Sequence, residues 1–448
     1  MPPYPLAAQT LDELKDSALE VAAYHQLSAE LALRLKKTEE AAAQFEQASR
    51  LEPTNELHQL NLAVLRLQST NAAAAAVARA TLERLRASTN VGPVTLRWLV
   101  ADSLGRNDLP AAERFSTQLL ADRRSLPDDR QQQLTILQRS KNPELNAYLS
   151  ALQKNALTNA AEVYGISTWM ISHGLVDGAL SWLTACPAKL RAEQPFPLAL
   201  VDCYLAKKDW GGLDASLQEQ KWGDLEFLRF AFLSRATGEL NQKLAADAHW
   251  RSAVRLAGDR LGPLTALLSL ASNWSRGPAR EDLLWLIAQR FPKERLALRE
   301  LERFYLVAGN TRGLNKVYSS MASWTPKNFA VQNNLAATSL LLKLNLPQAH
   351  ALAKEVFDEH SDQAIVTSTN AFSLHLQGRT KDGLAALGKL KPEALETPSV
   401  ALYYGVLLCA TGETNKGAKY LDIAQKADLL PEEKTLASDA LKRVGSGN

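Results

Sequence analysis

Helix-breaking turns recur along this chain at a nearly constant interval, and that interval limits the fold more than any other feature. Gly or polar turn residues fall near Lys36, Thr70, Gly105, Lys141, Gly174, Lys208, Gly238, Gly277, Gly309, Asn345, Gly378 and Gly412. Their mean spacing is about 34 residues, room for two helices of about 10 to 16 residues joined by short turns. A unit that short cannot bury its apolar face alone and must stack on its neighbours. The 448 residues therefore predict one array rather than separate domains of about 150 residues each. Period-two alternation flanked by hairpin signals is missing from the sequence, which predicts no sheet.

The first unit shows the physics most clearly. Residues 36–55 read KKTEEAAAQFEQASRLEPTN. Ala41 is small, so its helix can lie close to the preceding one. Phe45, four residues on, shares that face and fills the gap toward the next unit. Ala48 again permits close approach. Pro53 ends the helix, since it has no amide donor and disfavours helix in the residue before it. Glu39 and Glu40 fall in the first turn, where the dipole favours negative charge. The small-then-aromatic spacing recurs at Ala111 and Phe115, and at Ala246, Trp250 and Ala253; Leu314, Tyr318 and Pro326 keep it with a larger first residue. First helices carry Leu200, Val201 and Tyr204; Leu335 and Ala336; and Tyr404, Gly405 and Leu408. Two stretches depart: Ala75 to Arg79 puts a charge in the aromatic place, and Leu384 to Gly388 loses it. Gln131 to Lys154 follows by spacing only.

On these residues the chain resembles the tetratricopeptide repeat family, and its alanine-rich style looks bacterial. The resemblance implies an all-α solenoid of about twelve tetratricopeptide-like helix-turn-helix repeats forming a right-handed superhelix. Residues 1–20 read as an N-terminal cap, 21–430 as the solenoid, and 431–448 as a polar capping helix and tail. The implied function is a non-catalytic scaffold that holds a peptide or protein partner on the concave surface lined by first helices. The alternatives are an RNA-binding helical repeat, an envelope-associated factor in export or polysaccharide assembly, and an enzyme site built from distant repeats. Self-association through an end or a face stays open.

Composition narrows these. The 51 basic and 48 acidic residues leave a net charge of +3, so no long-range field favours nucleic acid or an anionic membrane. No phosphate loop, dinucleotide fingerprint, nucleophile elbow or zinc-binding His pair occurs, and no cofactor or metal is expected. Cys186, Cys203 and Cys409 are scattered and read as buried free thiols. His25, His58, His173, His249, His350, His360 and His375 share no i, i+4 face and take bland roles. The segment 1–10 lacks Lys and Arg and does not read as a secretory signal. The apolar stretch 400–410 is too short to span a bilayer. Cytoplasm is the default compartment, with periplasm the alternative if a leader or anchor precedes the chain.

Aromatic and charged residues give the candidate site. Trp182, Trp250 and Trp285 read as packing residues. Trp222 and Trp324 lie near helix ends, and Trp324 is a candidate binding anchor. Arg299 and Arg303, four apart, share a face of one predicted first helix; the next carries Asn333 and Asn334. Some members of the resembling family grip a C-terminal carboxylate with basic and Asn residues on successive first helices. Arg299, Arg303 and Asn334 are similar to three of those five positions, while the other two fall near Ile365 and Thr369, neither of them basic. The alternative reading is a solvated basic face paired with Glu300 and Glu302.

Overall fold

The computed structural model describes residues 4–218 and 220–445. Among the described residues every regular element is a helix. A helix at Tyr4–Ala18 precedes twelve antiparallel pairs. The first six are Ala22–Arg34 with Thr38–Leu51, Glu56–Leu67 with Ala72–Leu85, Gly92–Gly105 with Leu109–Leu120, Pro127–Arg139 with Leu145–Asn155, Ala160–Ser172 with Val176–Ala185, and Phe196–Lys207 with Trp210–Gln218. Glu226–Glu239 with Lys243–Ala257 and Leu261–Asn273 with Gly277–Arg290 follow. The last four pairs matter for function and are labelled: α1 (Arg295–Val307) with α2 (Thr311–Trp324), α3 (Phe329–Leu341) with α4 (Leu346–His360), α5 (Ala364–Leu376) with α6 (Thr380–Leu387), and α7 (Pro398–Ala410) with α8 (Thr414–Ala424). A final helix, α9, spans Pro431–Gly445. The chain is thus an all-α helical-repeat protein.

One hydrogen-bond pattern makes almost every intra-pair turn. A residue just past the first helix takes a left-handed conformation, and its own amide and the next one fold back onto the last carbonyls. Lys37 N–H donates to Ala32 C=O at 2.9 Å and Lys36 N–H to Leu33 C=O at 3.0 Å. The same pair of bonds closes the turn of α1 into α2, from Asn310 to Tyr305 (2.9 Å) and from Gly309 to Leu306 (3.1 Å). This double bond satisfies carbonyls that a helix end leaves orphaned. The left-handed position is Gly at 174, 309, 378 and 412, where the missing Cβ removes the steric cost. It is Lys at 36, 141, 208 and 343, Asn at 107 and 241, and Ser at 275. Three turns therefore lie two or three residues from the glycines that mark them in sequence: at Asn107 rather than Gly105, Asn241 rather than Gly238, and Ser275 rather than Gly277. The Glu56–Leu67 pair alone turns without a left-handed residue; there Asn71 caps the next helix, accepting from Ala73 and Ala74 amides at 3.0 and 3.2 Å.

Small residues set how close paired helices come. Ala41, Phe45 and Ala48 are all buried. Further along, Ala112 rather than Ala111 is the fully buried small residue beside Phe115. Gly405 on α7 faces Gly417 on α8 so closely that a Cβ on Gly417 would lie 2.4 Å from Cys409 Sγ and 2.9 Å from Gly405 O. Arg79, where an aromatic residue was expected, lies beside a carboxylate: its Nε donates to Asp102 at 2.9 Å, and Arg106 holds the same group. In α6, Leu387 is fully buried and fills the place of the missing aromatic. Trp285 and Trp222 are buried, whereas Trp182, Trp250 and Trp324 are half-buried. Cys186, Cys203 and Cys409 are buried free thiols. Burial pushes the Cys203 thiol up to about 11, which makes it inert.

Two compact units divide the chain. One reaches to Gly223 and includes Phe232–Ala246; the other takes Asp224–Ala231 and everything from Asp247 onward. Each has its own core. In the first, successive clusters centre on Phe45, Leu82 with Phe115, and Leu134 with Phe196. In the second they centre on Leu267 with Leu301, and on Phe372 with Leu407. Among the described residues no helix is long and apolar enough to cross a membrane.

Candidate functional site

The candidate site is built on α1, α2 and α3 of the second unit. On α1 the stripe Ala297, Leu298, Leu301 and Tyr305 is buried. Its periodicity leaves Arg299 and Arg303, one turn apart, on the exposed side. Tyr305 anchors the stripe: its hydroxyl accepts from Trp285 Nε1 at 2.8 Å and donates to Glu281. Burial, with Glu281 as its acceptor, pushes that phenol up to about 12.

The neighbouring carboxylates are engaged by other groups and form no ion pair with these arginines. Glu300 is held by Arg280 at 2.8 Å. Glu302 accepts from the Tyr318 hydroxyl on α2 at 3.0 Å. Burial, then the charge of Glu302, raises the Tyr318 phenol far above its ordinary range, while a bond from Asn334 opposes the shift. The phenol therefore stays protonated and keeps Glu302 fixed. Among the described residues, Arg295, Arg299 and Arg303 have no ion-pair partner.

Asn328 starts α3, with its side chain accepting from the Ala330 and Val331 amides at 3.1 and 3.2 Å. That cap fixes the angle at which α3 leaves the turn, and Asn334 then lies opposite Arg299. Between them is a cleft of about 270 Å³, lined among others by Arg295, Arg299, Tyr318, Trp324 and Asn334. It is smaller than the roughly 300–1,000 Å³ of small-molecule sites and suits one large side chain of a longer ligand. Its chemistry is uneven: Arg295, Arg299 and the carboxylate of Glu302 line it from α1, Met321 and the Trp324 indole from α2, and the Asn334 amide from α3.

Of the four residues singled out from sequence, Arg299 and Asn334 line this cleft and Arg303 is exposed one turn beyond it. Asn333 is buried, 3% exposed, on the other side of α3. Ile365 on α5 is partly exposed and Thr369 is buried. Sequence reading missed Tyr318 as a site residue because its spacing marks it as packing; its hydroxyl, only half explained by packing, was the available signal. Among the described residues no group of three or more His, Cys, Asp or Glu side chains could hold a metal ion.

No protein-family model matches the chain, and no curated protein matches it. Solved structures do. A Naa15/Naa10 complex bound to HypK-THB aligns over 99% of this chain and 77% of that one, at 14% identity and a TM-score of 0.26. A tetratricopeptide repeat protein from Parabacteroides merdae aligns over 64% and 98%, at 14% identity and 0.29. The P58(IPK) TPR domain aligns over 95% and 99%, at 12% identity and 0.23. Superposition at that level adds nothing to what the chain's own helix pairs show.

Proposed function

We propose that the protein is a non-catalytic interaction scaffold of tetratricopeptide type that holds an acidic peptide segment of a partner protein across its first helices. The observation that carries this reading is the unpaired set Arg295, Arg299 and Arg303 beside the Trp324 cleft. Among the described residues Arg295, Arg299 and Arg303 lie on one helix without an ion pair, and Glu302, which also lines the cleft, is taken by the Tyr318 hydroxyl, so a ligand carboxylate would meet the guanidinium of Arg299. Arg299 and Asn334 would hold the carboxylate from the two walls of the cleft, and Trp324 would pack an apolar side chain next to it. Exposed Leu296 and Val307, 69% and 86% accessible at the two ends of α1, extend the surface beyond the cleft. The net charge of +3 gives RNA no comparable attraction.

The test starts with the intact chain as bait in the native organism's extract, washed through a salt series, with bound proteins identified by mass spectrometry. For a partner so identified, Arg299→Ala with Arg303→Ala is expected to weaken binding at least tenfold, since one charge-assisted hydrogen bond contributes about 1.5–3 kcal/mol. Unchanged affinity ends the proposal for this site. Retention of nucleic acid alone ends the scaffold reading.

A further inference from the structure

In the first unit the repeat departs from its own pattern at one place. The second helices Val176–Ala185 and Trp210–Gln218 are 10 and 9 residues long, whereas Thr38–Leu51 and Ala72–Leu85 are each 14. Residues 186–195 join Val176–Ala185 to Phe196–Lys207, a longer connection than the 52–55 that follows Thr38–Leu51. Within it, Ala188–Arg191 makes a single helical turn. Leu190, 4% exposed, packs into the core that holds Leu134 and Phe196. That anchor leaves its neighbour Arg191 on the exposed side.

Short second helices and a long connection leave a recess over the inner helix Phe196–Lys207. That helix carries Pro197, Leu200 and Tyr204 on one face, at spacings of three and four. With Trp222 they line a cavity of about 630 Å³, within the roughly 300–1,000 Å³ of small-molecule sites and more than twice the volume of the Arg299 cleft. Pro197, Leu200 and Trp222 are buried and form its apolar lining. The Trp222 indole N–H is taken by Gln220 Oε1 at 2.7 Å. The Tyr204 hydroxyl has no hydrogen-bond partner among the described residues. Two exposed cations, Arg191 and Lys221, stand at the same cavity. Neither has an ion pair among the described residues, and no Asp or Glu is among those that line the recess.

We infer that this cavity binds a small organic anion, a carboxylate, phosphate or sulfonate carried on an apolar body the size of a fused ring. The body would displace water from Pro197, Leu200 and Trp222. Arg191 and Lys221 would meet the charge with charge-assisted hydrogen bonds, and the free Tyr204 hydroxyl would donate to a ligand oxygen. A compact apolar recess with cations at its rim and no acid among its described lining selects for that chemistry. The site belongs to the first unit and does not depend on the reading of the Arg299 cleft, which belongs to the second.

The test uses the full chain and anilinonaphthalene sulfonate, an apolar ring system with an anionic group, its binding read by fluorescence. Saturable binding is expected. Arg191→Ala with Lys221→Ala should weaken it at least tenfold, and Ala188→Trp, which fills the mouth of the cavity from an exposed position, should abolish it. Arg299→Ala with Arg303→Ala should leave it unchanged, which separates this site from the cleft on α1. Naphthoate should displace the probe at least tenfold more effectively than naphthalenemethanol, the same ring without the charge. Helical circular dichroism and thermal midpoints matching those of the unaltered chain show that lost binding is not lost folding. Should the Arg191, Lys221 double variant unfold, Arg191→Gln takes its place with the same expected direction. The inference is overturned by the absence of saturable binding, by an affinity that the Arg191, Lys221 and Ala188 variants leave unchanged, by equal displacement with the two naphthalenes, or by binding lost in the Arg299 variant instead.

Discussion

Lys36, Lys141 and Lys208 hold a left-handed backbone that L side chains resist, at a cost of about 1–2 kcal/mol each. The turn bonds around them are made all the same, so the strain is offset by the double carbonyl capture. Replacing Lys208 by Gly is expected to stabilise the chain by about 0.5–1 kcal/mol, the relief of strain less the added freedom of the unfolded glycine; a fall in the denaturant midpoint would refute this. Glu433 gives a pH test. It faces the Tyr403 phenol and the Leu430 amide, with Glu432 the nearest like charge, and burial raises its carboxyl above the ordinary 4.5. A raised folded value means that its stabilisation is complete below about 4.5 and is lost as pH rises through the folded value. Relative to Glu433→Gln, the wild type should therefore lose thermal stability between pH 4.5 and 7; a constant difference across that range contradicts the assignment. At the candidate site, the four residues chosen from sequence scattered because i and i+1 on a helix face different ways. Asn334 reaches the cleft and its neighbour Asn333 goes inside.

Within pairs, helix spacing depends on side-chain volume. Gly405 and Gly417 let α7 and α8 touch at backbone distance. Gly417→Ala would force a methyl into Cys409 Sγ and Gly405 O, and overpacking of that kind costs about 1–3 kcal/mol. Thermal melting should show it, with Gly412→Ala adding strain at the adjacent turn by a separate mechanism, positive φ. The alternation of first and second helices was legible from the 34-residue interval, because each break must satisfy the same geometry. The exact turn residue was not legible at Asn107, Asn241 or Ser275. Hydrogen bonding of the last helical carbonyls, rather than glycine, fixes the break, and a glycine two or three residues to either side misleads. The Ala112 shift has the same origin, since a turn displaced by two residues rotates the helix that follows it.

On the scale of the whole chain, stability is carried by neighbours. Each cluster joins adjacent pairs, so Leu301→Ala, fully buried in α1, should cost about 2–5 kcal/mol and act locally. Hydrogen exchange is expected to rise in Gly277–Arg290, α1 and α2 while α7 and α8 keep their protection; uniform loss through the second unit would argue for a single cooperative core. The sequence by itself determined the helix pair as the unit, its number, the absence of strands among the described residues, and the buried state of the three cysteines. All of these follow from periodicity and composition, which act over one or two turns of chain. The tertiary structure decided which carboxylates escape the arginines of α1, since Arg280 and Tyr318 arrive from other helices to take Glu300 and Glu302. It also decided that Glu432 meets Thr311. That contact spans 121 residues and depends on the summed rotation of four successive pairs, a quantity no local pattern encodes.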